Sequence, residues 1–288
     1  MESIKCLVKA SHSLAESPLW NKWRNSIVYI DINDQMVHEY KLEDQSLQSI
    51  KFDAMVGTVL LVDEVFIIAT EANRLVKVNL DTHEKEYLIE VPMAVDMRIN
   101  DGKCDETGRV FVGSILSERD VEKRFEKGSF YSIETTGEIK VHQDKLTISN
   151  GMAWNVAEQL MYFTDTYTQA IKTYKYDKLT GGMEYKEIAV NIPKEMGGPD
   201  GFTIDVEGML WIALFGGHAV IRVNPSTGEI ISRIDVPNKN VTCCIFGGEQ
   251  LDTLYITTAG DENSKGGLYE FKTSTRGYDT NTCCGEWL

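Results

Sequence analysis

The sequence predicts an all-β protein: a six-bladed β-propeller built as one domain over residues 1–288. Three observations predict it. A turn followed by a short β-rich run recurs six times, and a second alternating run follows each recurrence. Long amphipathic helices and a GxGxxG motif are both absent, which argues against a Rossmann-type sheet.

The first runs are 24–31 (RNSIVYID), 63–70 (DEVFIIAT), 107–113 (TGRVFVG), 158–165 (EQLMYFTD), 207–214 (EGMLWIAL) and 251–258 (LDTLYITT). Their aromatics, Tyr29, Phe66, Phe111, Tyr162, Trp211 and Tyr255, recur at intervals of 37 to 51 residues. The second runs are 36–40, 74–78, 129–133, 171–176, 219–223 and 267–271, and most show the two-residue period of a half-buried strand. Polar turns such as NPSTGEI lead on to a further strand. Six units of about 48 residues fill the 288. A lone sheet of this kind cannot bury both faces, whereas packing around an axis can. Two β-sandwiches would not explain six recurrences of one unit. Residues 4–9 are expected to close the ring as the outer strand of the last blade. The charged stretch 117–127 (SERDVEKRFEK) is expected to form a short helix or lid.

A formal net charge of −15 disfavours nucleic acid and anionic membranes as general partners, but not a cation. No apolar run reaches signal-peptide or membrane-span length, so a cytoplasmic location is the default expectation. Of the six cysteines, Cys6 and Cys104 stand alone, while Cys243–Cys244 and Cys283–Cys284 are adjacent pairs. They read as buried or incidental thiols, with a disulfide from the tail pair to another cysteine as the alternative.

Glu16, Asn100, Asn150 and Asp200 precede their blade aromatics by 13, 11, 12 and 11 residues. Equal phase in a propeller means equal height, so the four are expected to converge at one channel mouth. Blade 2 reaches this phase near Met55 and blade 6 at Cys243–Cys244, a less polar wall. The surrounding words are ESPLW, RINDG, SNG and PDG; the alternative is that they are only turn signals. Two carboxylates near one axis repel unless a divalent cation separates them. Oxygen donors favour Ca²⁺, then Mg²⁺ or Mn²⁺, with Zn²⁺ lacking its usual His and Cys partners. None of the five histidines shares the phase, and each reads as a surface or strand-edge residue, with His218 a candidate for the rim. Arg98, two residues before Asn100, could clamp an oxygen of a small ligand. A metal with open positions suits ester-type hydrolysis, and no GxSxG is present.

The words AESPLW, RINDGKCDETGRVFVGS, SNGMAW, MYFTDT, PDGFTIDVEGMLWIALFGG, VIRVNPSTGE and CCIFGGEQLDTLYIT cover almost the whole chain. Together they resemble the regucalcin/gluconolactonase family, which includes senescence marker protein and luciferin-regenerating enzyme-like proteins. The resemblance implies a six-bladed propeller with one divalent metal in its channel. Glu16, Asn150 and Asp200 would be the metal ligands, and Arg98, Asn100 and Glu118 would lie on the substrate side. Asp200 would act as general base, with Arg98 and Asn100 beside it in the catalytic set. The implied activity is hydrolysis of sugar lactones, small-molecule substrates, by a protein expected to be monomeric. The alternatives are a calcium-binding regulatory protein of the regucalcin type, a luciferin-regenerating-type protein, or a non-catalytic propeller scaffold.

Overall fold

The computed structural model describes residues 3–118 and 120–288. Six four-stranded antiparallel sheets follow one another along the chain, over 15–51, 56–90, 97–146, 149–191, 198–235 and 240–272. The sixth takes its fourth strand from the other end of the chain, where Lys5–His12 pairs with Gly266–Lys272. The predicted closure is therefore present, and the closing strand runs three residues further than expected.

Six apolar clusters hold the ring, one in each seam between neighbouring blades. Val28, Ile30, Val59 and Leu61 join blades 1 and 2. Phe111, Phe130, Met152 and Phe163 join blades 3 and 4. Trp20, Tyr29, Tyr255 and Leu268 join blade 6 back to blade 1. Truncating one of the fully buried phenylalanines to Ala should cost about 3–5 kcal/mol.

The two-residue period holds less widely than the sequence suggests. Ser26–Asp31 is buried at every position, whereas Ile230–Asp235 is exposed at all but one. Strands nearer the axis have a blade on each face, so both faces are largely buried, and the outermost strands are the most exposed to water.

One local device repeats at the ends of the second strands. The Asp31 carboxylate accepts the Ser13 and Leu14 N–H groups at 2.7 and 3.1 Å. Asp165 accepts those of Thr147 and Ile148 at 2.9 and 2.8 Å, and Glu71 accepts those of Asp53 and Ala54 at 2.7 and 3.2 Å. Each acid thus fixes the chain just before an inner strand begins, which sets the height of Glu16 and Asn150.

The expected lid helix is shorter than predicted, Val121–Arg124, with Asp120 capping the Glu122 N–H. The Phe125 ring packs against Tyr167 at 5.4 Å. The C-terminal residues cross the opposite end of the channel. Val206 N donates to Arg276 O at 2.9 Å, Trp20 N to Thr280 Oγ1 at 3.2 Å and Cys283 N to Leu61 O at 2.7 Å. A cavity of about 380 Å³ occupies this half of the channel, floored by Tyr278, Asp279, Thr280 and Asn281.

Candidate metal and substrate site at the channel mouth

The inner strands are Ala15–Asn21, Val56–Leu61, Met97–Cys104, Ser149–Asn155, Gly198–Ile204 and Asn240–Gly247. Each packs against the inner strands of both neighbouring blades. All six lose register with their partner strand near their beginnings. The shifts fall between Glu16 and Leu19, Val56 and Val59, Ile99 and Asp101, Asn150 and Met152, Pro199 and Phe202, and Val241 and Cys243. Such bulges bend a strand and re-aim its side chains. The extra residue in blade 3 is Asn100 itself, so alternation from Arg98 does not fix its direction.

The Asp-Gly and Asn-Gly words are not turns. Gly102, Gly151 and Gly201 lie within strands and have no positive φ. They allow close approach instead. A Cβ on Gly151 would stand 2.4 Å from Asp200 O and 2.3 Å from Phe202 Cδ1, and one on Gly201 would stand 2.3 Å from Cys243 Sγ.

Glu16, Asp101 and Asp200 are all buried at this level. Burial holds the Glu16 carboxyl well above its usual range, and the charges of Asp200 and Asp101 push it further; the Ser17 N–H and Lys103 oppose them. Burial raises Asp200 as well, followed by the charge of Asp101, while hydrogen bonds from Asn150 and Gly201 oppose the shift. Burial raises Asp101, countered by Lys103 and the Gly102 N–H. Among the described residues, Asp200 Oδ1 and Asp101 Oδ2 have no hydrogen-bond partner. Orphaned buried carboxylate oxygens are costly, and a cation would satisfy them.

Asn150 is positioned by Thr166. Its Nδ2 donates to Thr166 Oγ1 at 3.2 Å, and that hydroxyl donates to Pro199 O at 2.7 Å, beside Asp200. Arg98 is buried and donates from Nη1 to Ile99 O at 2.9 Å. Asn100 donates to Ser149 O at 2.9 Å across the seam between blades 3 and 4. Glu118 lies on the exposed lid, 3.2 Å from Lys123 Nζ. Glu16, Asn150 and Asp200 thus come together, Asn100 reaches the backbone beside Asn150, Arg98 lies buried two residues earlier on the Asn100 strand, and Glu118 sits on the lid. Among the described residues, no three His, Cys, Asp or Glu side chains form a ready-made metal cluster. The oxygen set available is two carboxylates with an amide, and Asp101 nearby.

Sequence reasoning missed Asp101, Lys103 and Thr166. Asp101 was legible: the residues immediately before glycine in INDG, SNG and PDG are Asp101, Asn150 and Asp200, spaced by 49 and 50. Blade 2 contributes Thr58, whose Oγ1 lies 2.7 Å from Ser17 Oγ, and Met55 packs instead into the seam core. The histidine expectation fails for His12 and His38. They are buried, with His12 Nε2 2.9 Å from Tyr29 Oη and His38 Nδ1 2.7 Å from Ser49 Oγ. His218 is exposed at a turn, with φ of 55°.

A six-bladed propeller with buried acids beside one channel mouth defines a class: ring proteins that carry a polar site on their axis. The particular family follows from sequence. The SMP-30/Gluconolactonase/LRE-like region matches residues 14–260, and the chain belongs to that family. A Bacillus subtilis (strain 168) protein, named provisionally as the sugar lactone lactonase YvrE, is 34% identical over 95% of this chain and 96% of its own. Regucalcin of Homo sapiens is 32% identical, covering 93% of this chain and 91% of its own. Among solved structures, a luciferin-regenerating enzyme superposes with a TM-score of 0.91 at 23% identity, over 99% of this chain and 100% of its own, a likeness of fold.

Proposed function

We propose that this protein is a calcium-binding propeller of the regucalcin type whose cation site also hydrolyses small lactones. The observation that carries the reading is a buried acidic mouth in which the charges of Asp200 and Asp101 act on Glu16 and that of Asp101 on Asp200, with one oxygen each of Asp101 and Asp200 unpartnered among the described residues. Glu16, Asn150 and Asp200 would hold the cation, Ca²⁺ first, with Mg²⁺, Mn²⁺ or Zn²⁺ as substitutes. When bound, the cation would polarise the carbonyl of a lactone.

The chain's own groups supply the rest. Burial and then the charge of Asp101 raise the Asp200 carboxyl, which makes it a stronger base for taking a proton from water at Oδ1. Thr166 holds the Asn150 amide, whose nitrogen also donates to Asp200 and whose oxygen accepts the Gly151 N–H at 3.2 Å, so the amide is fixed against the site. Arg98 and Asn100 would orient the ring oxygen or hydroxyls of the substrate, and Glu118 would approach from the lid. Both the lactonase name of the Bacillus relative and the regucalcin relatives support this double reading.

Two measurements test it. Calcium titration of wild type and Asp200→Asn should show binding only in the wild type. A panel of aldonolactones, aryl esters and phosphotriesters should show metal-stimulated hydrolysis lost in Asp200→Ala. Calcium binding without hydrolysis of any substrate would reduce the reading to the regulatory one. Hydrolysis at the wild-type rate in Asp200→Ala would remove Asp200 from the mechanism.

A further inference from the structure

The tail that crosses the channel carries two adjacent cysteines, Cys283 and Cys284, and one of them meets a partner. Cys104 Sγ and Cys283 Sγ lie 2.6 Å apart, although 179 residues separate them in sequence. Both are buried, whereas Cys284 is exposed with its thiol 3.2 Å from Thr107 O. The backbone fixes this meeting from both sides. Thr282 bridges Leu61, Cys283 N donates to Leu61 O at 2.7 Å, Cys284 N donates to Gly108 O at 3.2 Å, and Asn281 Nδ2 donates to Cys104 O at 3.0 Å. Register therefore selects Cys283 over its neighbour.

We propose that Cys104 and Cys283 are a thiol–disulfide site, joined reversibly by exchange with a small-molecule disulfide. The bond would staple the tail beneath the inner strand Met97–Cys104, which also carries Arg98, Asn100, Asp101 and Lys103. The exchange balances in two steps. When the tail end opens, the Cys283 thiolate attacks one sulfur of RSSR and the first RS⁻ leaves, taking up the proton that Cys283 gave. The Cys104 thiolate then attacks Cys283 Sγ, and the second RS⁻ leaves with the Cys104 proton. Two protein thiols are oxidised and RSSR is reduced to two RSH. Cys243 and Cys244 take no part; they are buried in the inner strand of blade 6, Cys243 at the site level against Gly201. The staple stands apart from the metal reading and does not depend on it.

The test uses the full chain, reduced and then incubated with oxidised glutathione, quenched in acid, unfolded and alkylated. Wild type should lose two of six alkylatable thiols and yield a peptide linking Cys104 to the tail. Cys284→Ser should still form the link, and Cys283→Ser should not. Carboxypeptidase should digest the oxidised tail past Cys283 at least about tenfold more slowly than the reduced tail. Peptide mapping of the wild type decides the matter even if Cys283→Ser folds poorly. Six alkylations after oxidation, a link through Cys284, or a pair involving Cys243 or Cys244 would overturn the proposal.

Discussion

Gly151 lies where the inner strands of blades 4 and 5 come closest, and replacing it by Ala should disable the channel mouth. The added Cβ would stand 2.4 Å from the Asp200 carbonyl oxygen and 2.3 Å from Phe202 Cδ1, where ordinary contact begins at 3.4 Å. The shortfall is therefore about 1 Å, and one obstacle is backbone, which cannot rotate aside as a side chain can. The strand carrying Asp200 must shift by about that distance, enough to lower catalysis by about a hundredfold. Overpacking of this kind should also cost about 1–3 kcal/mol. For a chain of this size that lowers Tm by several degrees, on the order of 2–4 °C per kcal/mol. The assays are calcium affinity by calorimetry, initial rates of lactone hydrolysis, and Tm. Gly182→Ala is the control: the nearest atom to its new methyl is the side-chain Thr180 Oγ1, at 3.1 Å, on an exposed turn. A Gly151→Ala protein with wild-type affinity, rate and Tm would refute the claim that this close approach sets the site.

Thr166→Val should loosen Asn150 and weaken calcium binding by about 10- to 100-fold, with little change in fold, as circular dichroism and calorimetry would show. Asp200→Asn removes a buried charge that its neighbours disfavour, so its Tm in chelator should exceed that of wild type, and calcium should add nothing to it. An equal response to calcium in both proteins would count against Asp200 as a ligand. His38 gives a pH prediction. Burial, then the charge of His12, lowers it to about 4, so the folded state holds it neutral where the unfolded chain takes a proton. Stability from this group is complete above pH 6.5 and falls as pH drops toward 4, by about 3 kcal/mol in all. Urea unfolding at pH 7 and 5 should show a slope in wild type that His38→Phe lacks by about one proton.

The ring was legible because each blade repeats a hydrophobic unit that is useless alone. Five of the six anchor aromatics, Tyr29, Phe111, Tyr162, Trp211 and Tyr255, are buried residues of the second strands, while Phe66 opens its strand half-buried, and the closing strand at the N-terminus followed from the same count. The convergence of Glu16, Asn150 and Asp200 was legible through phase, since each sits near the start of its inner strand. What failed was resolution within that phase. Asn100 was read by spacing, although the bulge makes it the extra residue and leaves Asp101 as the buried acid. A bulge obeys strand pairing, which a single strand does not display. Lys103 and Thr166 act through contacts with other blades, Phe202 O and Pro199 O, and such partners lie about 99 and 33 residues away. His12 and His38 looked peripheral because neither shares the phase of the site, whereas packing of blade 6 against blade 1 buries them. The tail pair had no repeat to explain it; only the path of residues 273–288 beneath the channel gives Cys283 its partner.

Crystals soaked in Mn²⁺ give the most direct measurement, because the ion can be located by anomalous scattering. One strong peak is expected at the channel mouth, bound by oxygens of Glu16, Asn150 and Asp200. A mouth without a peak at saturating Mn²⁺, or a peak held only by surface acids elsewhere, would contradict it.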